Sequence, residues 1–222
     1  MQQIALNLLA VGVFIITFFS TFGTLLHISP LVPVSLVLVA FSLFTLDTFV
    51  LGNRLISVIL EVFGGKEYHQ RVIHHEAGHF LTAYLLEIPI IDYSLSTLEA
   101  WRKGQLGSGG VILDAEVLKD VGDIPSVLEK LSTVWMGGIA AEQIIYNDAQ
   151  GGAQDRQAFY ATLRQRGLNK KFFASKERFA IQEAKNLLKK HNEAYYSLVG
   201  LMEKRSNIEE CYQALNQLQI SL

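Results

Sequence analysis

The 222-residue sequence has a single cysteine, Cys211, and four prolines. One thiol excludes an internal disulfide framework and any Cys-rich zinc finger or iron–sulfur site, and is expected as a small buried apolar residue on a helix. Charge is scarce as well, at 18% of residues where about 25% is usual for a soluble domain. The scarcity is local. Residues 1–53 hold one charged side chain, Asp47, and the other 39 of the 40 lie in residues 54–222. There is no basic excess: a formal net charge of −2 leaves no basic face or stripe for nucleic acid, so no nucleic-acid partner is expected. The pattern G-x-x-x-x-G-K-[ST] occurs nowhere. Its nearest approach, Gly64-Gly65-Lys66-Glu67, lacks both the leading glycine and the Ser/Thr that would meet Mg²⁺.

What residues 1–53 do contain is two apolar runs. Ile4–Leu26 has no ionisable side chain and Leu31–Leu51 has only Asp47. About 20 apolar residues in a helix match the roughly 30 Å hydrocarbon core of a bilayer. The expectation is a transmembrane helical hairpin over residues 1–52, with spans at about 4–26 and 31–51 joined by His27-Ile28-Ser29-Pro30. Asp47 would then lie near the inner end of the second span. Lys and Arg are absent from the linker but begin at Arg54, Lys66 and Arg71. By the positive-inside bias, both termini and the rest of the chain are expected on the cytoplasmic side, or its stromal equivalent, of an integral, multi-pass protein in contact with the lipid bilayer.

Residues 53–222 suffice for one domain with its own core. The periodicity predicts helices over Asn53–Phe63 and Tyr68–Leu86, short β-like runs at Ile90–Leu95 and Gly110–Asp114, then helices over Pro125–Tyr146, Ala153–Gln165, Ser175–Lys204 and Ser206–Leu218. Ser206 and Glu209 have the spacing of a capping box. The expected fold class is mainly α with a small β element.

The chemistry stands in the second of these helices: His74-His75-Glu76-Ala77-Gly78-His79 contains H-E-x-x-H at residues 75–79. Positions i and i+4 of a helix share a face, so the imidazoles of His75 and His79 can converge on one Zn²⁺ while Glu76 reaches the water it activates. The ion lowers that water's pKa towards about 7 and polarises a carbonyl, and Glu76 as catalytic base takes the proton. His74 faces away from the ligands and is expected as a supporting or surface residue. A catalytic zinc needs a third protein ligand. Glu142, Asp148 and Asp155 are candidates, and spacing alone does not choose among them.

His75-Glu76-Ala77-Gly78-His79, followed by Gly137-Gly138-Ile139-Ala140-Ala141-Glu142-Gln143-Ile144-Ile145-Tyr146 and by Gly151-Gly152-Ala153-Gln154-Asp155, resembles the peptidase domain of FtsH. FtsH proteins are membrane-anchored, ATP-dependent zinc metalloproteases whose motifs run HEAGH, G-G-R-x-A-E-E-I and T-G-A-x-x-D. The likeness covers residues from about 70 to 215. The resemblance implies an all-α zinc metalloprotease domain over 53–222, with Asp155 as third ligand and Glu142 as a supporting residue. Three positions depart from the pattern: Ile139 for Arg, Gln150 for Thr and Gly152 for Ala. Without a P-loop, the sequence is similar to the ATPase-less FtsH-like proteins of cyanobacteria and chloroplasts. The implied function is a membrane-anchored zinc metalloendopeptidase acting on membrane or membrane-adjacent proteins in membrane protein quality control. A separate AAA ATPase or FtsH-type complex and homo-oligomerisation are implied as associations. The alternative is a proteolytically silent FtsH-like membrane scaffold or assembly factor.

Overall fold

The computed structural model describes residues 2–23, 25–27, 29, 31–50, 54–105, 109–114 and 125–218. The chain divides into two compact units, Met1–Tyr68 with Ser96–Gly109, and His69–Leu95 with Gly110–Leu222. Among the described residues the structure is mainly helical with two short strands, as the periodicity predicts.

The first unit contains α1 (Gln2–Phe22), α2 (Leu31–Phe49), α3 (Arg54–Phe63) and α5 (Thr97–Arg102). Two carboxylates tie it together. Asp47, 4% exposed, accepts the Leu55 N–H through Oδ1 at 2.8 Å, satisfying one of the orphan donors in the first turn of α3. Glu61 Oε1 accepts both the N–H and the hydroxyl of Thr97 at 2.6 Å, and Ser96 caps α5 through the Glu99 N–H. Helix α5 was not expected from the sequence, where its six residues show no sustained period.

The transmembrane hairpin is not upheld. Among the described residues, no helix is long and apolar enough to cross a membrane. The apolar runs counted in the sequence overstate the helices they form. Helix α2 stops at Phe49, before the expected span does at Leu51. It carries Ser35, Ser42, Thr45 and a buried Asp47 engaged in capping. Helix α1 likewise ends at Phe22, before the expected span does at Leu26. The integral multi-pass placement, and with it the assignment of both termini and the remaining chain to the cytoplasmic side, is therefore corrected. Ile28 and Pro30 of the expected linker, and the expected boundary at 52–53, lie outside the described residues.

The second unit holds the motif. It comprises α4 (Gly65–Leu85) from His69 onward, β1 (Ile90–Ser94), β2 (Gly110–Leu113), α6 (Pro125–Tyr146), α7 (Ala153–Gln165), α8 (Phe173–Lys190), α9 (Asn192–Glu203) and α10 (Ile208–Gln217). Its main core joins Phe80 and Leu81 of α4 to Leu131, Val134, Ala140 and Ala141 of α6 and to Leu198, Met202 and Leu215 of α9 and α10. Cys211 is buried on α10, as expected. A smaller cluster, Met136, Ile139, Phe159, Leu163 and Phe173, fixes α7 and α8 to the other side of α6. Helices α4 and α6 approach closely because Gly78 faces Gly137: a Cβ on Gly78 would collide with the Gly137 carbonyl and stand 2.7 Å from the Ala141 Cβ.

Strands β1 and β2 pair antiparallel, with Tyr93 opposite Val111 and Ser94 opposite Gly110, and the register is irregular between Ile90 and Asp92. Two predicted details shift. The expected helix over 175–204 is broken at His191 (φ −113°, ψ 42°), which separates α8 from α9. The capping box falls one residue later, on Asn207 and Glu210. Ser206 is not available for it: its N–H closes α9 by bonding the Leu201 carbonyl, next to left-handed Arg205.

Candidate metal centre

His75 and His79 are both turned inward from the buried face of α4, 9% and 7% exposed. Their Nε2 atoms stand 3.1 Å apart. Asp155, in the first turn of α7, places Oδ2 at 3.2 Å from His75 Nε2 and Oδ1 at 3.4 Å from His79 Nε2. These three side chains form one group whose ligand atoms could hold a metal ion. Donors bonded to a common tetrahedral ion at about 2.0–2.1 Å stand about 3.4 Å from one another, so the spacing fits such an ion.

The other face of each imidazole is already committed. His79 Nδ1 lies 2.7 Å from the Val134 carbonyl, which can only accept, so this nitrogen carries the proton. His75 Nδ1 lies 2.7 Å from Glu142 Oε1. With both Nδ1–H groups donated, two Nε2 lone pairs and a carboxylate point at one spot. Such an arrangement repels itself unless a cation, proton or metal, sits among them. Protons can fill that role as well as a metal. Burial alone would depress the His75 imidazole, but its bonds to Asp155 and Glu142, with the Glu76 charge nearby, outweigh it and push its pKa up to about 10. His79 is raised in the same way by Asp155 against the burial penalty. Asp155, also opposed by burial, is held well below the usual carboxylate range by the two imidazoles.

Glu142 is 2% exposed on α6 and serves as a hub. Besides His75 it accepts the Gln150 and Gly151 N–H groups at 2.9 and 3.1 Å, and lies 3.4 Å from Arg71 Nη1. These partners keep it ionised despite burial, with the His75 bond foremost. Glu142 thus meets the Nδ1 side of His75 and Asp155 the Nε2 side, which separates the two carboxylates that spacing left open. Asp148, the third candidate, is bonded to Arg71 at 2.9 Å instead.

Small residues make room for the imidazole. A Cβ on Gly138 would land on the His75 ring, and one on Gly151 would meet Glu142 Oε1 at 2.6 Å and His75 Nδ1 at 3.0 Å. Gly152, which precedes α7 at φ 85°, is held in the left-handed region, and a Cβ there would strike Ile139. Two of the three departures from the FtsH pattern, Ile139 and Gly152, are therefore neighbours in space.

Glu76 Oε2 accepts the Val111 N–H of β2 at 3.1 Å, and burial raises its pKa. His74 is not brought to the ligand cluster. Its Nδ1 is 2.8 Å from the Tyr195 hydroxyl, and its ring meets Tyr146 edge-on. The sequence reading missed Arg71 and the Val134 carbonyl. Arg71 had a signal, since positions 71, 75 and 79 follow one i, i+4 row of α4. The Val134 carbonyl had none. Against known proteins, the sequence matches no family model and no curated protein.

Proposed function

We propose that the chain is a zinc-dependent endopeptidase whose centre is built by His75, His79 and Asp155, with an FtsH-type arrangement of the peptidase motifs. The observation carrying this reading is the convergence of His75 Nε2, His79 Nε2 and an Asp155 oxygen at 3.1–3.4 Å while acceptors hold both Nδ1–H groups. Two nitrogens and one oxygen suit catalytic zinc, which takes three protein ligands. Bound there, the ion supplies a Lewis acid that acidifies water and polarises a carbonyl.

The protein's own groups do the rest. Glu76 follows His75 directly on α4, so its carboxylate belongs beside the ligand cluster as the base that takes the proton of the attacking water. Burial raises its proton affinity, which suits a group that must accept a proton and then pass it to the departing amine. Glu142 and the Val134 carbonyl hold the imidazole tautomers. Strand β2 lies against Glu76 through Val111, and a substrate in extended form pairs with a strand edge through its backbone. Extended polypeptide segments are accordingly the proposed substrates.

Purified protein should carry about one zinc per chain and cleave unfolded casein. Glu76→Gln should keep the metal and lose about 10²–10⁴-fold in turnover, the worth of a general base. A Glu76→Gln variant as active as the parent overturns the assignment.

A further inference from the structure

The proposed metal centre is tied to the protein surface by Arg71, which has no place in the H-E-x-x-H motif. Arg71 lies on α4 one turn before His75, 13% exposed in its side chain. Its Nη1 bonds Asp148 Oδ1 at 2.9 Å and lies 3.4 Å from Glu142 Oε2. The guanidinium carbon sits 4.1 Å from the centre of the Tyr146 ring, so the planar group is held on a face as well as by its donors. Asp148 is half exposed and belongs to the turn over residues 147–152 that delivers Asp155.

Asn147 is left-handed at φ 62° and Gly152 at φ 85°, so the chain reverses sharply twice between α6 and α7. Between the two reversals, Asp148 reaches Arg71, while the Gln150 and Gly151 N–H groups reach Glu142. Arg71 therefore touches both carboxylates on which the turn depends: the buried one that orients His75 and the exposed one that ties the turn to α4.

We propose that Arg71 is a positioning residue that latches the Asp155-bearing turn to the His75-bearing helix and so sets how fast the centre releases its metal. The inference rests on the metalloprotease reading only in so far as His75, His79 and Asp155 bind a metal. Arg71 touches neither metal nor substrate and acts through Glu142 and the turn. Because Asp148 is exposed, its half of the latch is open to solvent ions and weakens with salt, whereas the Glu142 half is shielded.

The test is metal release, measured on the full chain loaded with Co²⁺ or Zn²⁺ and challenged with excess chelator. Visible Co²⁺ absorption reports the coordination geometry. Arg71→Ala should release metal about 10-fold faster, at the low end of effects seen for outer-shell partners. Arg71→Lys should restore part of the loss, since it keeps the charge but not the planar face. Asp148→Asn should give a smaller acceleration and abolish the salt dependence of release seen in the parent. Circular dichroism identifies any variant that fails to fold, and Asp148→Asn, at an exposed position, keeps the question answerable if Arg71→Ala does fail. A parent that binds no metal would defeat the functional reading itself. A parent that binds metal, with folded Arg71→Ala and Asp148→Asn variants releasing it at the parental rate and salt dependence, would overturn the latch and leave that reading standing.

Discussion

The two sides of the candidate metal centre are built by different means. On the helix side, α4 delivers His75 and His79 from one continuous backbone, and their separation follows from the i, i+4 geometry of any helix. On the turn side, Asp155 arrives through two left-handed residues and a set of hydrogen bonds centred on Glu142. The helix side is precise because its backbone is regular. The turn side is precise because side chains hold it, the buried Glu142 carboxylate foremost. Faults on the helix side should therefore act sterically and all at once, and faults on the turn side by degrees.

The largest effect is expected where that distinction is most direct. Gly138→Ala places a methyl on the His75 ring and should abolish metal binding while α4 stays helical. Metal analysis beside circular dichroism reads both, and full metal occupancy in this variant would refute the steric account. Next comes Glu142→Gln, which keeps an acceptor for His75 but loses the charge. It should weaken metal affinity by about 10–100-fold, the range for outer-shell partners of ligating histidines. A chelator-competition titration measures it, and an unchanged affinity would mean that the turn holds itself.

The smallest effect is in pH dependence. In the metal-free chain His75 has its pKa raised from 6.5 to about 10. Its contribution to stability is complete below the unfolded value and is lost as pH rises through the folded one. Asp155 and Glu142, both depressed, contribute above the ordinary carboxylate range and lose that contribution as pH falls through their folded values. Metal-free protein should thus melt at progressively lower temperature from pH 6.5 to 10. With saturating zinc the decline should vanish, since the ion replaces the protons and competes better as they become scarce. Equal declines with and without zinc, followed by thermal scanning, would show that the cluster does not titrate as a unit.

The contrast also explains what the sequence disclosed. His75, Glu76 and His79 were legible because a helix turns residue spacing into geometry. Asp155 was not legible from spacing; it was named only through the resemblance to FtsH, because a turn with two left-handed residues obeys no period. Glu142 and Asp155 are both acidic and both downstream, and only folding shows that one meets Nδ1 and the other Nε2. Arg71 could have been picked from the same helical row as the histidines. The long predicted helix over 175–204 failed at His191, where composition gives no warning, and the capping box moved by one residue because Ser206 was already bonded to Leu201. The apolar runs misled most. Hydropathy counts residues whether or not the helix includes them, and α2 ends before its run does.

The bond between Glu76 and Val111 makes the β hairpin a setting for the proposed base. Successive backbone N–H groups of a strand point alternately to one side and the other, so residue 111 offers its N–H to α4 only in one of two parities. A slip of β2 by one position against β1 would present the Glu76 carboxylate with a carbonyl-bearing gap instead of a donor. The irregularity between Ile90 and Asp92 takes up the odd residue at the far end of the hairpin, so that Tyr93 still faces Val111. A misfit of one residue in a strand with no chemistry of its own thereby decides which way the proposed base is held.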